Sequence, residues 1–271
     1  MPPMLTVPGD PSLSARAVPL QRLRVLVALI VRGMNAKFGR SVGGYVWAIA
    51  EPLGGIVLLA VAFSLALRSP PIGTSFLFFY ATGIIPFTLY GHIASSAAGA
   101  VRANRGLLNY SVVTPLDAVL AGAILEILTV GIVAIILFTG IIIVDDVPVN
   151  FEPIRVVTAF AMATTLGLGV GTLNCVLFGF FPTWRNIWGV LTRPLFLISG
   201  IFFTFNSAPP NFQKVLWYNP LSHIIGEMRS GFYGAYRADY VSLPYVFGIG
   251  LTLFVIGAYL LRRHGSFLIE Q

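Results

Sequence analysis

The chain has 271 residues, of which 56% are hydrophobic and only 10% are charged, and its mean hydropathy is +0.85. Soluble domains carry about 25% charged residues, so this composition excludes a soluble enzyme and predicts an integral membrane protein. The net charge is +7. Because the basic residues lie between apolar segments, we interpret them as topology signals and expect no nucleic-acid partner.

The N-terminal region divides into two parts. The first 18 residues contain four prolines and are predicted to form a mobile tail. From about residue 20 to residue 40, apolar side chains recur at helical spacing while the arginines fall elsewhere on the helical wheel. This pattern is typical of an amphipathic helix that lies along the membrane interface.

The remainder, residues 19–271, is predicted to be a single all-α transmembrane domain. A bilayer core of about 30 Å needs about 20 apolar residues in helical form. Six runs satisfy this length: 46–67, 76–98, 119–144, 154–180, 187–205 and 245–261. Most of the 17 basic residues then fall on the side of the N-terminus, which predicts that both termini are cytoplasmic.

The segment between the fifth and sixth predicted spans contains a further helical element, at about residues 211–236. It is rich in aromatic residues, and Pro220 after Asn219 would end one helix and begin another. Since it is too short to cross twice, we expect a periplasmic re-entrant hairpin beside a pathway. Glu227 and Arg229 should then have polar contacts rather than face acyl chains.

The chain has little catalytic chemistry of its own. Neither Lys37 nor Lys214 follows a glycine, so no phosphate-binding loop of the Walker A type is present. A single cysteine and three dispersed histidines predict no metal site. Glu126 lies inside a predicted span, where it indicates either a functional group or a structural hydrogen bond to a neighbouring helix.

The loop after the second span, residues 102–117, combines Arg102 and Arg105 with an apolar patch that includes Leu107 and Leu108. A loop that needed only to be soluble would not expose such a patch. We therefore expect it to dock onto a cytoplasmic partner. A helix lying on the lipid headgroups is the alternative.

The chain resembles the permease subunit of capsular polysaccharide ABC exporters, the KpsM type. The resemblance is carried by the loop 102–117, by Lys37-Phe38-Gly39-Arg40 with Gly44-Tyr45-Val46-Trp47 and Glu51-Pro52, and by Trp217-Tyr218-Asn219-Pro220-Leu221. The wider polysaccharide-export family, which includes O-antigen and teichoic acid exporters, shares many of these motifs.

The resemblance implies a homodimer that binds two copies of a cytoplasmic ABC ATPase and exports a lipid-linked polysaccharide across the bacterial inner membrane. ATP and Mg would be used by that partner, and this chain would bind no cofactor and not be an enzyme. Periplasmic and outer-membrane export proteins would continue the path.

Three groups of site residues follow from the resemblance. The segment that couples to the ATPase would be Asn104, Arg105, Gly106, Leu107, Leu108, Asn109 and Tyr110. The lipid gate would include Lys37, Arg40, Trp47 and Glu51. The pathway and hairpin residues would be Trp217, Tyr218, Asn219, Pro220, Glu227, Arg229, Phe232 and Tyr233.

Two other function classes remain open. A stand-alone channel or carrier would need polar residues along several spans, and Glu51 and Glu126 are the only carboxylates inside the predicted ones. A membrane enzyme acting on lipid-linked sugar would need acidic residues or histidines clustered at one depth. Three glycines, Gly167, Gly169 and Gly171, allow close helix packing either at a dimer seam or within one protomer.

Overall fold

The structure, a computed structural model, describes residues 11–39, 43–108 and 113–270. Within these ranges every regular element is a helix, which confirms the predicted all-α class. The helices are α1 (Pro11–Phe38), α2 (Gly44–Ala66), α3 (Phe76–Ala103), α4 (Arg105–Leu108), α5 (Pro115–Asp145), α6 (Pro153–Phe180), α7 (Trp184–Leu197), α8 (Pro210–Trp217), α9 (Pro220–Ser230) and α10 (Leu243–Glu270).

Five helices are long and apolar enough to cross a membrane: Val46–Ala66, Phe76–Ala103, Pro115–Asp145, Pro153–Phe180 and Leu243–Gly265. They coincide with five of the six predicted spans. The predicted tail lies partly outside the described residues, and α1 begins at Pro11, so residues 11–18 are helical rather than part of a tail.

The fifth predicted span, 187–205, is not one continuous helix. Helix α7 has 14 residues, a length of about 21 Å, which is short of the bilayer core. The chain turns away from helical geometry after Leu197, and Gly200 has a φ of +87°, which favours glycine. The prediction of a continuous fifth helix is therefore wrong, because apolar composition alone did not reveal this turn.

Helix starts and ends follow local chemistry. The side chain of Thr114 accepts a hydrogen bond from the Asp117 backbone N–H while Asp117 bonds back to Thr114, and Pro115 takes the first helical position of α5. At its other end, α5 stops at Asp146, which has a left-handed φ of +46°. These signals fix the bounds of the longest spanning helix.

Helix α3 lies at the centre of the bundle and packs against α5, α6 and α9. A Cβ atom added to Gly167 would lie 2.9 Å from the Tyr90 carbonyl oxygen, and one added to Gly171 would lie 2.6 Å from that of Ala94, so both glycines allow α6 to approach α3. Gly169 lies in the same way against Gly250 of α10. The three glycines therefore serve crossings within one protomer.

The bundle has two distinct ends. At the end called here the α4 end, α4 packs near the start of α5 and the C-terminal parts of α3, α6 and α10. At the opposite α9 end, backbone hydrogen bonds join residues 231–232 to residues 150–152. Helix α1 packs against α5 and leaves an apolar stripe exposed, formed by Leu23, Val27, Val31 and Met34.

Candidate functional site

A polar cluster formed by Lys37, His92 and Glu126 joins three helices inside the apolar bundle. The Lys37 Nζ atom donates to both carboxylate oxygens of Glu126, at 2.8 and 2.7 Å. The Nδ1 atom of His92 lies 3.5 Å from Glu126 Oε2. The Glu126 side chain is 9% exposed and that of Lys37 is 35% exposed, so the carboxylate is buried but its cation contacts the surroundings.

The close packing of α1 on α5 brings Lys37 to Glu126. A Cβ atom on Gly33 would lie 3.1 Å from the Leu125 side chain, so a small residue is needed where the helices meet. Leu29 and Phe38 bury their side chains on this side of α1. Lys37 follows in the last turn, where a cation also complements the helix dipole.

The cluster borders a cavity of about 220 Å³ that Trp47 and Glu51 of α2 also line. The indole of Trp47 is 70% exposed, and Glu51 is exposed as well. Three of the four predicted lipid-gate residues thus surround one cavity, while Arg40 lies outside the described residues. Lys37 bonds to Glu126 and also lines this cavity, so the intramembrane carboxylate lies next to the residues predicted for the lipid gate.

Sequence reasoning did not assign His92 to this site. His92 is one of three histidines that are dispersed along the sequence and share no metal-ligand spacing. The available signal was the occurrence of an ionisable residue inside a span, the criterion that had identified Glu126. No contact between α3 and α5 is visible in the sequence, so nothing in it links His92 to Glu126.

A larger groove of about 710 Å³ runs between α3 and α7. Three exposed arginines lie along it, Arg102, Arg185 and Arg193, and its aromatic lining residues are Phe87, Tyr90, Phe178, Trp188 and Phe196. We call it the arginine groove. Guanidinium groups bind carboxylates and phosphates, and aromatic faces suit sugar rings, so this surface can accept an anionic, hydroxylated chain.

The predicted ATPase-coupling segment contains the one-turn helix α4. Arg105 and Gly106 are exposed and Leu107 is half-buried, but Leu108 packs in the protein's own core at the α4 end. Asn104 donates to the Ala100 carbonyl. Asn109 and Tyr110 lie outside the described residues. Of the two adjacent leucines, Leu108 is therefore part of the chain's own core, and only Leu107 is accessible to a partner.

The predicted hairpin is a helix pair, α8 and α9, joined at Tyr218 and Asn219. Asn219 caps α9 by accepting from the Leu221 N–H at 3.1 Å, and it donates to the Ile198 carbonyl at 2.9 Å. Pro220 takes the first position of α9, as predicted from the Asn-Pro pair. Asn219 thus connects the start of α9 to the end of α7.

The guanidinium of Arg229 is buried, with the residue 1% exposed. Its hydrogen bonds go to main-chain oxygens. Its two terminal nitrogens donate to the carbonyls of Gly200, Ile201 and Phe203 at 2.8, 3.0 and 2.9 Å. The guanidinium also stacks over the Phe79 ring at 4.1 Å. Arg229 therefore satisfies the carbonyls that the break after α7 leaves without helical partners.

The other hairpin residues divide between core and surface. Phe232 and Tyr233 are buried in the central core beside Phe78. Glu227 is buried, and its Oε2 atom lies 3.6 Å from a terminal nitrogen of Arg155. Burial raises the pKa of Glu227, and the charge of Arg155 opposes that rise. Trp217 is half-buried and Tyr218 is exposed.

Comparisons with known proteins agree with this architecture. The family model for ABC-2 type transporters matches residues 24–233. The polysialic acid transport protein KpsM of Escherichia coli is 31% identical over 235 residues, which cover 87% of this chain and 91% of that protein. The capsule polysaccharide export inner-membrane protein BexB of Haemophilus influenzae is 24% identical, with 94% of this chain and 96% of that protein covered.

A further relative is the O-antigen export system permease protein RfbA of Klebsiella pneumoniae, which is 24% identical and covers 84% of this chain and 88% of its own length. The resemblance drawn from the loop and hairpin motifs is thereby confirmed. With the family model spanning most of the chain and five helices able to cross a membrane, this multi-pass membrane protein belongs to the ABC-2 type transporter family.

Proposed function

We propose that this chain is the permease subunit of an ATP-driven exporter that moves a lipid-linked capsular polysaccharide across the bacterial inner membrane. The observation that carries the proposal is the arginine groove, which combines cationic and aromatic side chains on a chain that aligns over most of its length with capsule export permeases. An acidic polymer with a lipid anchor needs these two kinds of surface.

The lipid gate is assigned to the cavity between α1 and α2. The exposed Trp47 lines this cavity, and the amphipathic indole ring of tryptophan favours the headgroup region of the membrane. Lys37 supplies a cation that is partly accessible and held by a carboxylate. An anionic lipid headgroup would compete with Glu126 for this cation, and the release of α1 would open the cavity.

The topology proposed for this function has six crossings. Helix α7 and residues 198–204 together make the fifth, helices α8 and α9 form a re-entrant hairpin on the periplasmic side, and both termini are cytoplasmic. Supporting this order, the α9 end holds the acidic Asp145-Asp146 turn, while Arg102, Arg105 and Arg185 lie at or near the α4 end.

Since the chain has no phosphate-binding loop, ATP and Mg are assigned to a separate cytoplasmic ATPase, two copies of which bind a homodimer of this chain. Residues 104–110 are the proposed contact. A Leu107→Ala change should weaken co-purification of the ATPase, because truncating a buried interface anchor costs more than about 2 kcal/mol. Arg102→Ala, at the rim, should have much less effect.

The test of this contact must separate docking from folding. Leu108→Ala should lower the thermal stability of the chain itself, because Leu108 is buried in the chain's own core, and therefore serves as the folding control. If Leu107→Ala leaves both co-purification and export intact, and a cysteine at Asn109 gives no crosslink to the ATPase, the contact lies elsewhere.

Export itself is tested by reconstituting the chain with its ATPase in vesicles that contain lipid-linked polymer. We expect ATP-dependent appearance of polymer on the far side. Replacing Arg185 and Arg193 together by glutamine should reduce transport of an acidic polymer, whereas Lys214→Gln with Arg68→Gln, at exposed positions outside the groove, is the charge-matched control pair. Absence of transport by the complete wild-type complex would contradict the proposed function.

O-antigen export is the second candidate, favoured by the similarity to RfbA. The same vesicle assay distinguishes the two when each polymer is supplied on its own lipid anchor. The polymer that is exported identifies the substrate class.

A further inference from the structure

A third cavity lies at the α9 end and shares no lining residue with the lipid-gate cavity or the arginine groove. Its volume is about 420 Å³, within the range of about 300–1,000 Å³ that is typical of ligand sites. Its walls are mostly polar and include Glu152, Arg155, Ser230, Arg237 and Asp239. We call it the Arg237 cavity.

The walls of the Arg237 cavity are held in place by the fold. Two backbone hydrogen bonds, of 3.1 and 2.8 Å, join residues 231–232 to residues 150–152. The Nε atom of Arg155 donates to Glu152 at 2.7 Å, and its terminal nitrogen lies 3.6 Å from Glu227. Because Arg155 is oriented by two carboxylates, this wall needs little rearrangement to receive a ligand.

Several groups at the cavity have unused bonding capacity. Ser230 is 4% exposed, and its hydroxyl has no hydrogen-bond partner among the described residues. Buried hydroxyls are almost always bonded, so the Ser230 hydroxyl has hydrogen-bonding capacity to offer a ligand at this wall. Within the described part of the chain, no carboxylate lies within 4 Å of the Arg237 guanidinium, and no cationic group lies within 4 Å of the Asp239 carboxylate.

We propose that the Arg237 cavity binds an acidic saccharide unit. The Arg237 guanidinium would bind the sugar carboxylate, while Asp239 and Ser230 would exchange hydrogen bonds with ring hydroxyls. The Asp239 carboxylate repels any anion, and the ring hydroxyls of a saccharide offset that repulsion by donating hydrogen bonds to it, which a small inorganic anion does less well. A lipid tail or the apolar anchor of a protein partner would find too little apolar wall. The inference rests on the proposed function and adds to it a contact for the acidic polymer at the exit side.

The test uses the purified full-length chain, without its ATPase, in detergent. An Ala238→Cys change in a Cys175→Ser background places a thiol in the cavity wall, and the rate of maleimide labelling reports occupancy. The probes are oligomers of sialic acid and of glucuronic acid, with neutral maltotriose and inorganic phosphate for comparison. We expect the acidic oligosaccharides to slow labelling at concentrations where the neutral sugar and phosphate do not.

Two variants that each remove one positive charge test whether Arg237 is the residue that binds the sugar carboxylate. Arg237→Gln should raise the half-protecting concentration about tenfold, the effect of losing one charge-assisted hydrogen bond. Lys214→Gln removes the same charge from exposed α8, outside the cavity, and should leave protection unchanged. Equal protection by phosphate, equal behaviour of the two variants, or no protection by either acidic oligosaccharide would overturn the proposal.

The vesicle export assay separates this inference from the function on which it rests. If the wild-type complex exports polymer but the cavity thiol is never protected, the saccharide site is wrong and the exporter assignment stands. If the wild-type complex exports nothing while the acidic oligosaccharides protect the thiol, the saccharide site stands and the exporter assignment fails.

Discussion

Among the described residues, the cations Lys37 and Arg229 both contact the interior of the bundle, and they are held in opposite ways. Lys37, at the end of α1, is 35% exposed and bonds to the single carboxylate of Glu126 inside α5. Arg229 at the α9 end is 1% exposed and bonds to three backbone carbonyls. One cation depends on a charged partner, and the other depends on the path of the main chain.

This difference determines what each region can do. A carboxylate can be protonated, and its cation can be taken by a competing anion, so the Lys37–Glu126 contact can be broken and formed again. Backbone carbonyls carry no net charge and cannot be titrated, so Arg229 fixes the geometry of residues 200–203 permanently. We therefore expect movement at α1 and rigidity at the break between α7 and α8.

The largest effect is expected for Arg229→Ala. It would leave three buried carbonyls without donors, at about 1–3 kcal/mol each, and we expect little folded protein in the membrane. Arg229→Lys should also fail, because an ammonium cannot reproduce the planar fork of donors. Thermal unfolding in detergent measures the stability of the Arg229 variants, and Arg237→Ala, at an exposed arginine, is the control. Near-normal stability of Arg229→Ala would remove the proposed distinction between the two cations.

An intermediate effect is expected for Lys37→Met, which leaves the Glu126 carboxylate buried without its cation. We expect a loss of about 1–3 kcal/mol in the free energy of unfolding and a loss of export. Adding Glu126→Gln removes the second charge and should restore stability but not export. Recovery of export in the double variant would show that the ion pair only stabilises the fold.

A smaller effect is expected for Glu51→Gln. Glu51 lines the same cavity but is exposed, and Lys37 binds Glu126 instead, so stability should change by less than about 0.5 kcal/mol. Export should fall without a change in its pH dependence. A shifted pH profile would instead support a proton-coupled carrier and would contradict the assignment of Glu51 to the lipid gate.

The smallest effect is a pH dependence at the α9 end. The Ser242 N–H donates to His223 Nδ1, so Nε2 carries the proton that is donated to the Trp217 carbonyl, and burial lowers the pKa of this imidazole. On acidification the unfolded chain binds a proton that the folded chain resists, so stability present above about pH 6.5 is lost as pH falls.

A His223→Gln variant should show a smaller acid-induced decrease in melting temperature than the wild type, while His264→Gln at the α4 end should behave like the wild type. Identical pH curves for all three proteins would show that His223 is not responsible.

The sequence was sufficient to predict structural features that depend on residues close together in the chain. The Asn219-Pro220 pair predicted the start of α9. The length of the apolar runs predicted six spans, five of which coincide with helices long and apolar enough to cross a membrane. The sequence was insufficient where the outcome depends on contacts between distant segments. Nothing in the order of residues shows that Lys37 meets Glu126, that Leu108 turns into the protein's own core, or that Arg229 meets the carbonyls of residues 200–203.

The dependence of the break after α7 on Arg229 has a consequence for biosynthesis. Ile201 leaves the ribosome 28 residues before the arginine that binds its carbonyl, and chains are made at about 5–20 residues per second. During that interval the exposed carbonyls must stay in contact with water or with the insertion machinery, since lipid offers them no donors. The segment after α7 is therefore completed only after α9 has been synthesised, and a nascent chain that ends before Arg229 would leave the carbonyls of residues 200–203 without their donors.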